Sequence, residues 1–230
     1  MEPRIELLNI DCMEYMASLP DKAFDLAIVD PPYGIREDGG KVKSRARVKS
    51  RDYEKKGWDS SPMGKEYFSE LRRVSERQIV WGANHFISRI AIDSPAWIVW
   101  DKDNSGDFAD CELAWTSFPC AVRKFTFRWN GMIQQNMKNK EQRIHPTQKP
   151  VALYRWLLKN YAKPGQRILD THGGSMSIAI ACDIEGYDLT LCEIDKDYFE
   201  AGRRRLEQHR AQPRLFEASD RAPQQLSITD

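Results

Sequence analysis

The stretch Arg167-Ile168-Leu169-Asp170-Thr171-His172-Gly173-Gly174-Ser175-Met176-Ser177 decides the fold of this chain of 230 residues. Its apolar start predicts a buried strand that ends at Asp170, and the run after Ser177 predicts a helix over 177–184. A further strand is predicted over 188–193. A strand, a glycine turn and a helix in this order bring the backbone close to a nucleotide-like ligand. The glycine spacing is not Gly-x-Gly-x-x-Gly, so the sequence favours a nucleoside ligand over a dinucleotide.

The same alternation of strands and helices extends outward through the chain. Strands are predicted over 5–10, 24–29, 78–81 and 97–100, and a strand or hairpin arm over 122–129. Helices are predicted over 12–19, 65–74, 110–116, 151–161 and 196–210. This alternation predicts an α/β fold, Rossmann-like, with a doubly wound and mostly parallel sheet. The length suits one domain over 1–210, followed by a polar tail over 211–230 that we expect to be disordered.

The composition sets limits on compartment and partners. The net charge is only +1, but the segment 36–56 holds nine Lys or Arg residues against four acids. Such a segment is either a solvated loop or a contact for phosphates. Five cysteines without a Cys-x-x-Cys pair argue against disulfides and against a zinc site, so we expect no metal. The sequence shows no signal peptide and no long apolar run, which predicts a cytoplasmic protein with no membrane partner.

A second motif, Asp30-Pro31-Pro32-Tyr33, follows the apolar run 26–29 at the end of a predicted strand. Each proline fixes its φ angle and lacks an N–H, so the carbonyl groups of this turn point in set directions. The Asp30 carboxylate and the Pro31 carbonyl can then accept hydrogen bonds from a planar amino group, and Tyr33 can stack on its ring. Such acceptors free the lone pair of the nitrogen, as methyl transfer to a base amino group requires. Alone, so short a motif is equally compatible with an ordinary proline loop.

Two further features complete the pattern. Glu193 lies 19 residues after Gly174, near the interval at which an acid accepts hydrogen bonds from ribose hydroxyls. The segment His145-Pro146-Thr147-Gln148-Lys149-Pro150 precedes a predicted helix, and Pro150 could simply mark the helix start. Alternatively, Lys149 could pair with a carboxylate and Thr147 could donate a hydrogen bond to it.

In their order and spacing, the motifs at 30–33, 145–150 and 170–177 resemble those of the permuted (beta-group) S-adenosylmethionine-dependent DNA amino-methyltransferases. The chain looks like the short enzymes of this family that phages and mobile elements carry. The resemblance extends over residues 5–210 and implies the circularly permuted methyltransferase topology. It also implies S-adenosylmethionine as the cofactor, S-adenosylhomocysteine as its product, and DNA as the substrate.

The resemblance further implies roles for particular residues. Asp30, Pro31, Pro32 and Tyr33 would form the pocket for the target amino group, with Tyr33 stacked on a base that has left the duplex. The residues implied in cofactor binding are Asp11, Cys12, Thr147, Lys149, Asp170, Gly173, Gly174 and Glu193. The glycine turn departs from the family pattern, because Thr171-His172 replaces Pro-Phe and Met176 replaces the last glycine. We therefore expect the Met176 side chain where backbone approach is usually close.

Within this family, Asp rather than Ser at position 30 favours adenine N6 as the methylated atom. The resemblance also implies a role in restriction-modification. Cytosine N4 is the alternative, and a catalytically weakened homologue that only binds DNA is another. Methylation of protein glutamine is disfavoured, since that motif begins with Asn.

Contacts with macromolecules are expected outside these motifs. A target-recognition insertion is expected within residues 35–143, and the basic residues expected to bind DNA are Lys41, Lys43, Arg45, Arg47, Lys49 and Arg51. Gln212, Leu215 and Phe216 form a Gln-x-x-Leu-Phe pattern similar to peptides that dock on the bacterial sliding clamp. Alternatively, the two apolar side chains fold back onto the domain. The assembly is expected to be a monomer or a homodimer.

Overall fold

The structure is a computed structural model that describes residues 2–39, 54–104, 109–130 and 133–212. The strands in these ranges are β1 (Ile5–Leu8), β2 (Phe24–Val29), β3 (Ser75–Trp81), β4 (Trp97–Asp101), β5 (Cys111–Thr116), β6 (Arg123–Thr126), β7 (Trp129–Asn130), β8 (Ile133–Gln134), β9 (Arg167–Asp170) and β10 (Asp188–Cys192). The α-helices are α1 (Cys12–Ala17), α2 (Lys65–Val74), α3 (Ile87–Ile90), α4 (Val151–Tyr161), α5 (Ser177–Glu185) and α6 (Lys196–Ala211). None of these helices has both the length and the apolar character needed to cross a membrane.

Eight strands form one sheet in the order β1-β10-β9-β2-β3-β5-β4-β6, while β7 and β8 form a separate hairpin. Strand β9, from the second half of the chain, pairs in parallel with β2 from the first half. The strands are parallel except at β5, which runs antiparallel to β3 and β4. The predicted α/β fold with a Rossmann-like, mostly parallel sheet is confirmed.

The chain leaves the central strand pair in opposite directions, from β9 to β10 on one side and from β2 to β3 on the other. In doubly wound sheets, ligands bind beyond the carboxyl ends of the strands where the strand order reverses in this way. The residues just after β2 and β9 are those of the Asp-Pro-Pro-Tyr motif and the glycine turn. The topology therefore brings two motifs that are far apart in sequence to one edge of the sheet.

The sheet is buried on both faces. In β2, Leu26 and Ile28 pack with the cluster that includes α4 and α5, whereas Ala27 and Val29 pack with the cluster under α1 and α2. Successive strand residues point to opposite faces, so an uninterrupted apolar run is what a strand covered on both sides requires. This burial fixes the position of Asp30, which directly follows Val29.

The helix predicted over 110–116 is wrong, because these residues form β5 between β3 and β4. The run Glu112-Leu113-Ala114 has high helix propensity. However, Ala114 and Trp115 are buried in the sheet, and packing of this kind overrides local preference. The strand or hairpin arm predicted over 122–129 is divided in the structure, because β6 ends at Thr126 and the β7–β8 hairpin starts at Trp129.

Candidate active site

A cavity of about 250 Å³ opens beyond the carboxyl ends of β1, β2, β9 and β10. Its wall includes residues that follow each of these strands and the segment that precedes α4. The predicted site residues that line it are Asp11, Cys12, Asp30, Pro32, Thr147, Lys149, Gly173, Gly174 and Glu193. Pro31, Tyr33 and Asp170 are not part of the lining. A larger cavity of about 410 Å³ lies beyond the amino ends of the strands and contains none of the predicted residues.

One end of the cavity, here called the glycine-turn end, is formed by Asp11, Gly173, Gly174 and Glu193. Glu193 accepts hydrogen bonds from the Gly174 N–H at 2.7 Å through Oε2 and from the Asp195 N–H at 2.8 Å through Oε1. Burial raises the pKa of its carboxyl group, although these hydrogen bonds oppose the rise. Backbone contacts therefore hold Glu193 beside the glycine turn. Its hydrogen bonding to ribose hydroxyl groups stays a prediction.

The structure explains why glycine stands at both positions 173 and 174 of the turn. A Cβ atom on Gly173 would lie 2.3 Å from Cδ2 of the buried Leu191, so the turn has no room for a side chain there. Gly174 has a φ angle of +48°, in the left-handed region that favours glycine. The turn can therefore bring its backbone close to the cavity.

Asp11 and Cys12 also line the cavity. Asp11 caps α1, since its Oδ1 accepts a hydrogen bond from the Met13 N–H at 2.7 Å. Burial raises the pKa of the Cys12 thiol to about 12, and the charge of Asp11 adds to the rise. Cys12 is thus a neutral thiol at physiological pH, which makes it an apolar contact rather than a nucleophile.

Asp170 lies behind the turn rather than in the cavity wall. It is buried, and its Oδ1 accepts a hydrogen bond from the His172 N–H at 3.0 Å. Burial raises the pKa of Asp170 to about 8. Burial also lowers the pKa of His172 to about 4, so this histidine, whose ring packs edge-on against Tyr67, is neutral at pH 7.

Met176 does not enter the cavity, contrary to the expectation from its place in the turn. It has a φ angle of +55° and caps α5, and its side chain is fully buried in the core. There it packs on α6, where a Cβ on Gly202 would lie 2.6 Å from Met176 Cγ. The left-handed backbone turns the side chain away from the ligand side, so Met176 leaves the turn open.

The other end of the cavity is lined by Asp30 and Lys149; together with Tyr33 and Glu112, which contact them from behind the lining, they are here called the Asp30 end. Asp30 Oδ2 lies 2.5 Å from Lys149 Nζ, and its Oδ1 accepts a hydrogen bond from the Tyr33 hydroxyl at 2.6 Å. Lys149 Nζ also donates to Tyr33 Oη at 3.0 Å. Burial raises the pKa of Asp30 even though the charge of Lys149 opposes the rise. Both carboxylate oxygens thus already have partners within the protein.

Tyr33 is held by the protein on its ring as well as on its hydroxyl. Its ring stacks on His85 with centroids 5.2 Å apart and an interplanar angle of 17°. A Cβ on Gly82 would lie 2.0 Å from the ring, so Gly82 allows this packing. Stacking of Tyr33 on a base stays a prediction.

Glu112 is an acidic residue at this end that sequence reasoning missed. Its Oε2 lies 3.1 Å from Lys149 Nζ, and its Oε1 lies 2.5 Å from Lys102 Nζ. Burial alone would raise the pKa of Glu112, but the charges of Lys149 and Lys102 outweigh it and lower the pKa to about 2. No sequence signal marked this residue, because its segment was predicted to be a helix.

A short segment around Trp58 also contributes to the site. Trp58 lines the cavity and packs on His145, with ring centroids 5.2 Å apart. The neighbouring Asp59 accepts hydrogen bonds from the N–H groups of Gly34 and Glu37, at 2.7 and 2.9 Å. Asp59 thereby fixes the backbone that follows the Asp-Pro-Pro-Tyr motif. The tryptophan content of this region was a visible signal, but it did not single out Trp58.

The residues predicted to contact macromolecules lie mostly outside the described part of the chain. This applies to Leu215, Phe216 and the basic set Lys41, Lys43, Arg45, Arg47, Lys49 and Arg51. Gln212 is described and follows the C-terminus of α6.

Comparison with known proteins identifies relatives consistent with this site. A family model described as DNA methylase, N6_N4_Mtase, matches residues 97–204. The type II methyltransferase M.HinfI of Haemophilus influenzae is 23% identical over 92% of this chain and 70% of its own length. These matches confirm the resemblance to the DNA amino-methyltransferases that the motifs show.

Solved structures agree at the level of the fold. The crystal structure of an M1.HpyAVI–SAM complex matches with a TM-score of 0.55 and 20% identity, covering 87% of this chain and 99% of that chain. The PvuII DNA methyltransferase, described as cytosine-N4-specific, matches with a TM-score of 0.56 and 12% identity, covering 94% of this chain and 91% of that chain.

Proposed function

We propose that this protein transfers a methyl group from S-adenosylmethionine to an exocyclic amino group of a base in DNA. The observation that supports this most directly is the single cavity that joins the Asp30 end to the glycine-turn end. One end offers a carboxylate to an amino group, and the other offers acids and a closely approachable backbone to a nucleoside. A reaction between two such ligands requires that both bind in one continuous space.

The donor set of the glycine-turn end fits S-adenosylmethionine. Glu193 and Asp11 would accept hydrogen bonds from its polar groups, and the turn at Gly173 and Gly174 admits close backbone contact. The buried carboxyl of Asp170, with its raised pKa, would be stabilised in its charged form by a nearby cation. When bound, the cofactor supplies a methyl group from its sulfonium and leaves as S-adenosylhomocysteine.

We further propose adenine N6 as the target atom, with the base flipped out of the duplex. Asp30 would accept a hydrogen bond from the amino group and then take the proton that the nitrogen loses on methylation. The preference for adenine rests on Asp at position 30. Cytosine N4 is the second candidate, since the matching family covers both targets.

The test is replacement of Asp30 by alanine, followed by measurement of methyl transfer to genomic DNA. We expect the rate to fall by at least about 100-fold, as when one transition-state contact is removed. Cofactor affinity, measured by calorimetry, should change by less than about threefold, since the loss concerns the chemical step. The control is Glu185→Gln, which removes a paired carboxylate between α4 and α5. Near-normal activity of Asp30→Ala would contradict the proposal.

Mass spectrometry of nucleosides from the methylated DNA distinguishes the candidates. N6-methyladenine supports the first and N4-methylcytosine the second. A wild-type protein that binds DNA tightly, but gives no heat with the cofactor and no methylated base, would instead be a catalytically weakened homologue.

Two partner contacts are proposed on the sequence alone. The basic set from Lys41 to Arg51 would bind phosphates, so neutralising it should weaken binding to all DNA sequences alike and reduce the salt dependence. Leu215 and Phe216 would dock on a sliding clamp. A clamp pull-down that is unchanged in Leu215→Ala/Phe216→Ala would remove that second contact.

A further inference from the structure

A row of four charged side chains with alternating sign links the Asp30 end to β4 and β5. It runs from Asp30 through Lys149 and Glu112 to Lys102, with N–O distances of 2.5, 3.1 and 2.5 Å. Two carboxylates and two ammonium groups balance in charge. Lys149 stands between the two acids and is shared by them.

In this arrangement each carboxylate oxygen of Asp30 already accepts one hydrogen bond from the protein. Tyr33 occupies Oδ1 and Lys149 occupies Oδ2. Asp30 and Lys149 both line the cavity, so an amino group that enters it competes with Lys149 Nζ for Oδ2 and binds there best when Nζ moves aside. The lysine side chain has rotatable bonds enough for such a displacement, which involves only its tip.

Withdrawal would be costly if it left Lys149 without a partner. Its side chain is only 3% exposed, so water cannot replace a lost carboxylate. Glu112, already 3.1 Å away, can keep the ammonium group paired throughout. Lys102 balances the charge of Glu112 from the other side, so Glu112 does not hold Lys149 permanently away from Asp30.

We propose that Glu112 is a positioning residue that retains Lys149 while a base amino group replaces it on Asp30 Oδ2. This inference rests on the proposed function, because it concerns the approach of the substrate to Asp30. The rings of Tyr33 and Trp81 lie 5.4 and 5.6 Å from Lys149 Nζ and add cation–π contacts to its ion pairs. Glu112 touches neither reactant and acts only through Lys149.

The experiment replaces Glu112 by glutamine, which keeps the shape and removes the charge. Lys149 would then pair with Asp30 alone and resist displacement. We expect kcat to fall about 10- to 100-fold, as is usual when a residue that orients another is lost. KM for DNA should change little, since phosphate contacts dominate DNA affinity. Rates are expressed per cofactor-binding site from calorimetric titration, so that any misfolded fraction is not counted. Glu185→Gln is the control and should retain the wild-type kcat.

Two further measurements separate positioning from a general structural role. Glu112→Asp keeps the charge and should recover most of the lost kcat. In the protein without ligands, lysine-selective NMR should show a shift of the Lys149 Nζ signal in Glu112→Gln, with that signal identified by its loss in Lys149→Met.

The outcomes decide between the two proposals. Wild-type kcat in Glu112→Gln, a kcat in Glu112→Asp no higher than in Glu112→Gln, or an unshifted Lys149 signal would each overturn the role of Glu112. Absence of methyl transfer by the wild-type protein would overturn the proposed function itself.

Discussion

The two ends of the cavity hold their acidic side chains by different means. At the glycine-turn end, Glu193 and Asp11 accept hydrogen bonds from backbone N–H groups. At the Asp30 end, the acids are held by lysine side chains from distant parts of the chain, since Lys149 is 119 residues from Asp30. The first end is therefore fixed by the turns themselves, whereas the second is held by ion pairs in which two acids share Lys149. An end fixed by backbone contacts suits a cofactor that binds in one orientation. An end held by side-chain ion pairs suits a substrate whose amino group competes with Lys149 for Asp30.

The largest effect should come from removing the shared cation at the Asp30 end. Lys149→Met would leave two acids facing each other without it. Breaking a buried ion pair by deleting one partner usually costs about 3–5 kcal/mol. We expect the free energy of unfolding in urea to fall by that amount and methyl transfer to fall below detection.

Lys159→Met is the matched control for this prediction. Lys159 also pairs with an acid, Glu185, but 58% of its side chain is exposed. Removal of so exposed a pair should change the free energy of unfolding by less than about 1 kcal/mol. Equal losses in the two variants would show that the Asp30 end is no more dependent on its ion pairs than the surface is.

The contrast between local backbone contacts at one end and side-chain ion pairs at the other also explains how much of the site could be predicted from the sequence. Asp30, Gly173, Gly174 and Glu193 each stand just after a strand or in the turn that follows one, so the local pattern located them. Their meeting at one cavity followed from the expected alternation of strands and helices.

Glu112 could not be found in this way, because its position depends on pairing of β5 with β3 and β4. Local propensity favoured a helix there, and a helix would point the residue elsewhere. The prediction for the Met176 side chain was wrong for a related reason. Its left-handed φ angle decides where the side chain goes, and a sequence pattern does not show that angle for a residue other than glycine.

A second prediction concerns pH and the buried carboxyl behind the glycine turn. Burial raises the pKa of Asp170 from 3.8 to about 8, so the folded protein retains a proton that the unfolded chain releases above pH 4. This contribution to stability is complete below pH 4 and is lost as the pH rises toward 8. Between pH 6.5 and 8, the free energy of unfolding should fall by up to about 2 kcal/mol through this group.

Asp170→Asn removes the titrating group and should flatten this part of the stability curve. The comparison stays above pH 6.5 because His172, with its pKa lowered to about 4, destabilises the folded state as the pH falls from 6.5 toward 4. The measurement is urea unfolding of both proteins, without ligands, at several pH values. Parallel curves for the two proteins would contradict a raised pKa of Asp170. They would also contradict the proposal that a cation of the bound cofactor stabilises the charged form of this carboxyl group.

The smallest effect should come from the glycine turn, and it should be confined to the cofactor. In Gly173→Ala the new methyl group meets Leu191, which is buried and has little room to move. Overpacking of this kind costs about 1–3 kcal/mol, and part of it should appear as a displaced turn. We expect the Kd for S-adenosylmethionine to rise about tenfold, which corresponds to about 1.4 kcal/mol.

Gly165→Ala is the control, because Gly165 has a φ angle of +83° and open space around it. That variant should lose stability through backbone strain, by about 1–2 kcal/mol, and keep its cofactor affinity. If Gly165→Ala weakens the cofactor as much as Gly173→Ala does, affinity follows overall stability, and the glycine-turn end is not the rigid element that distinguishes it from the Asp30 end.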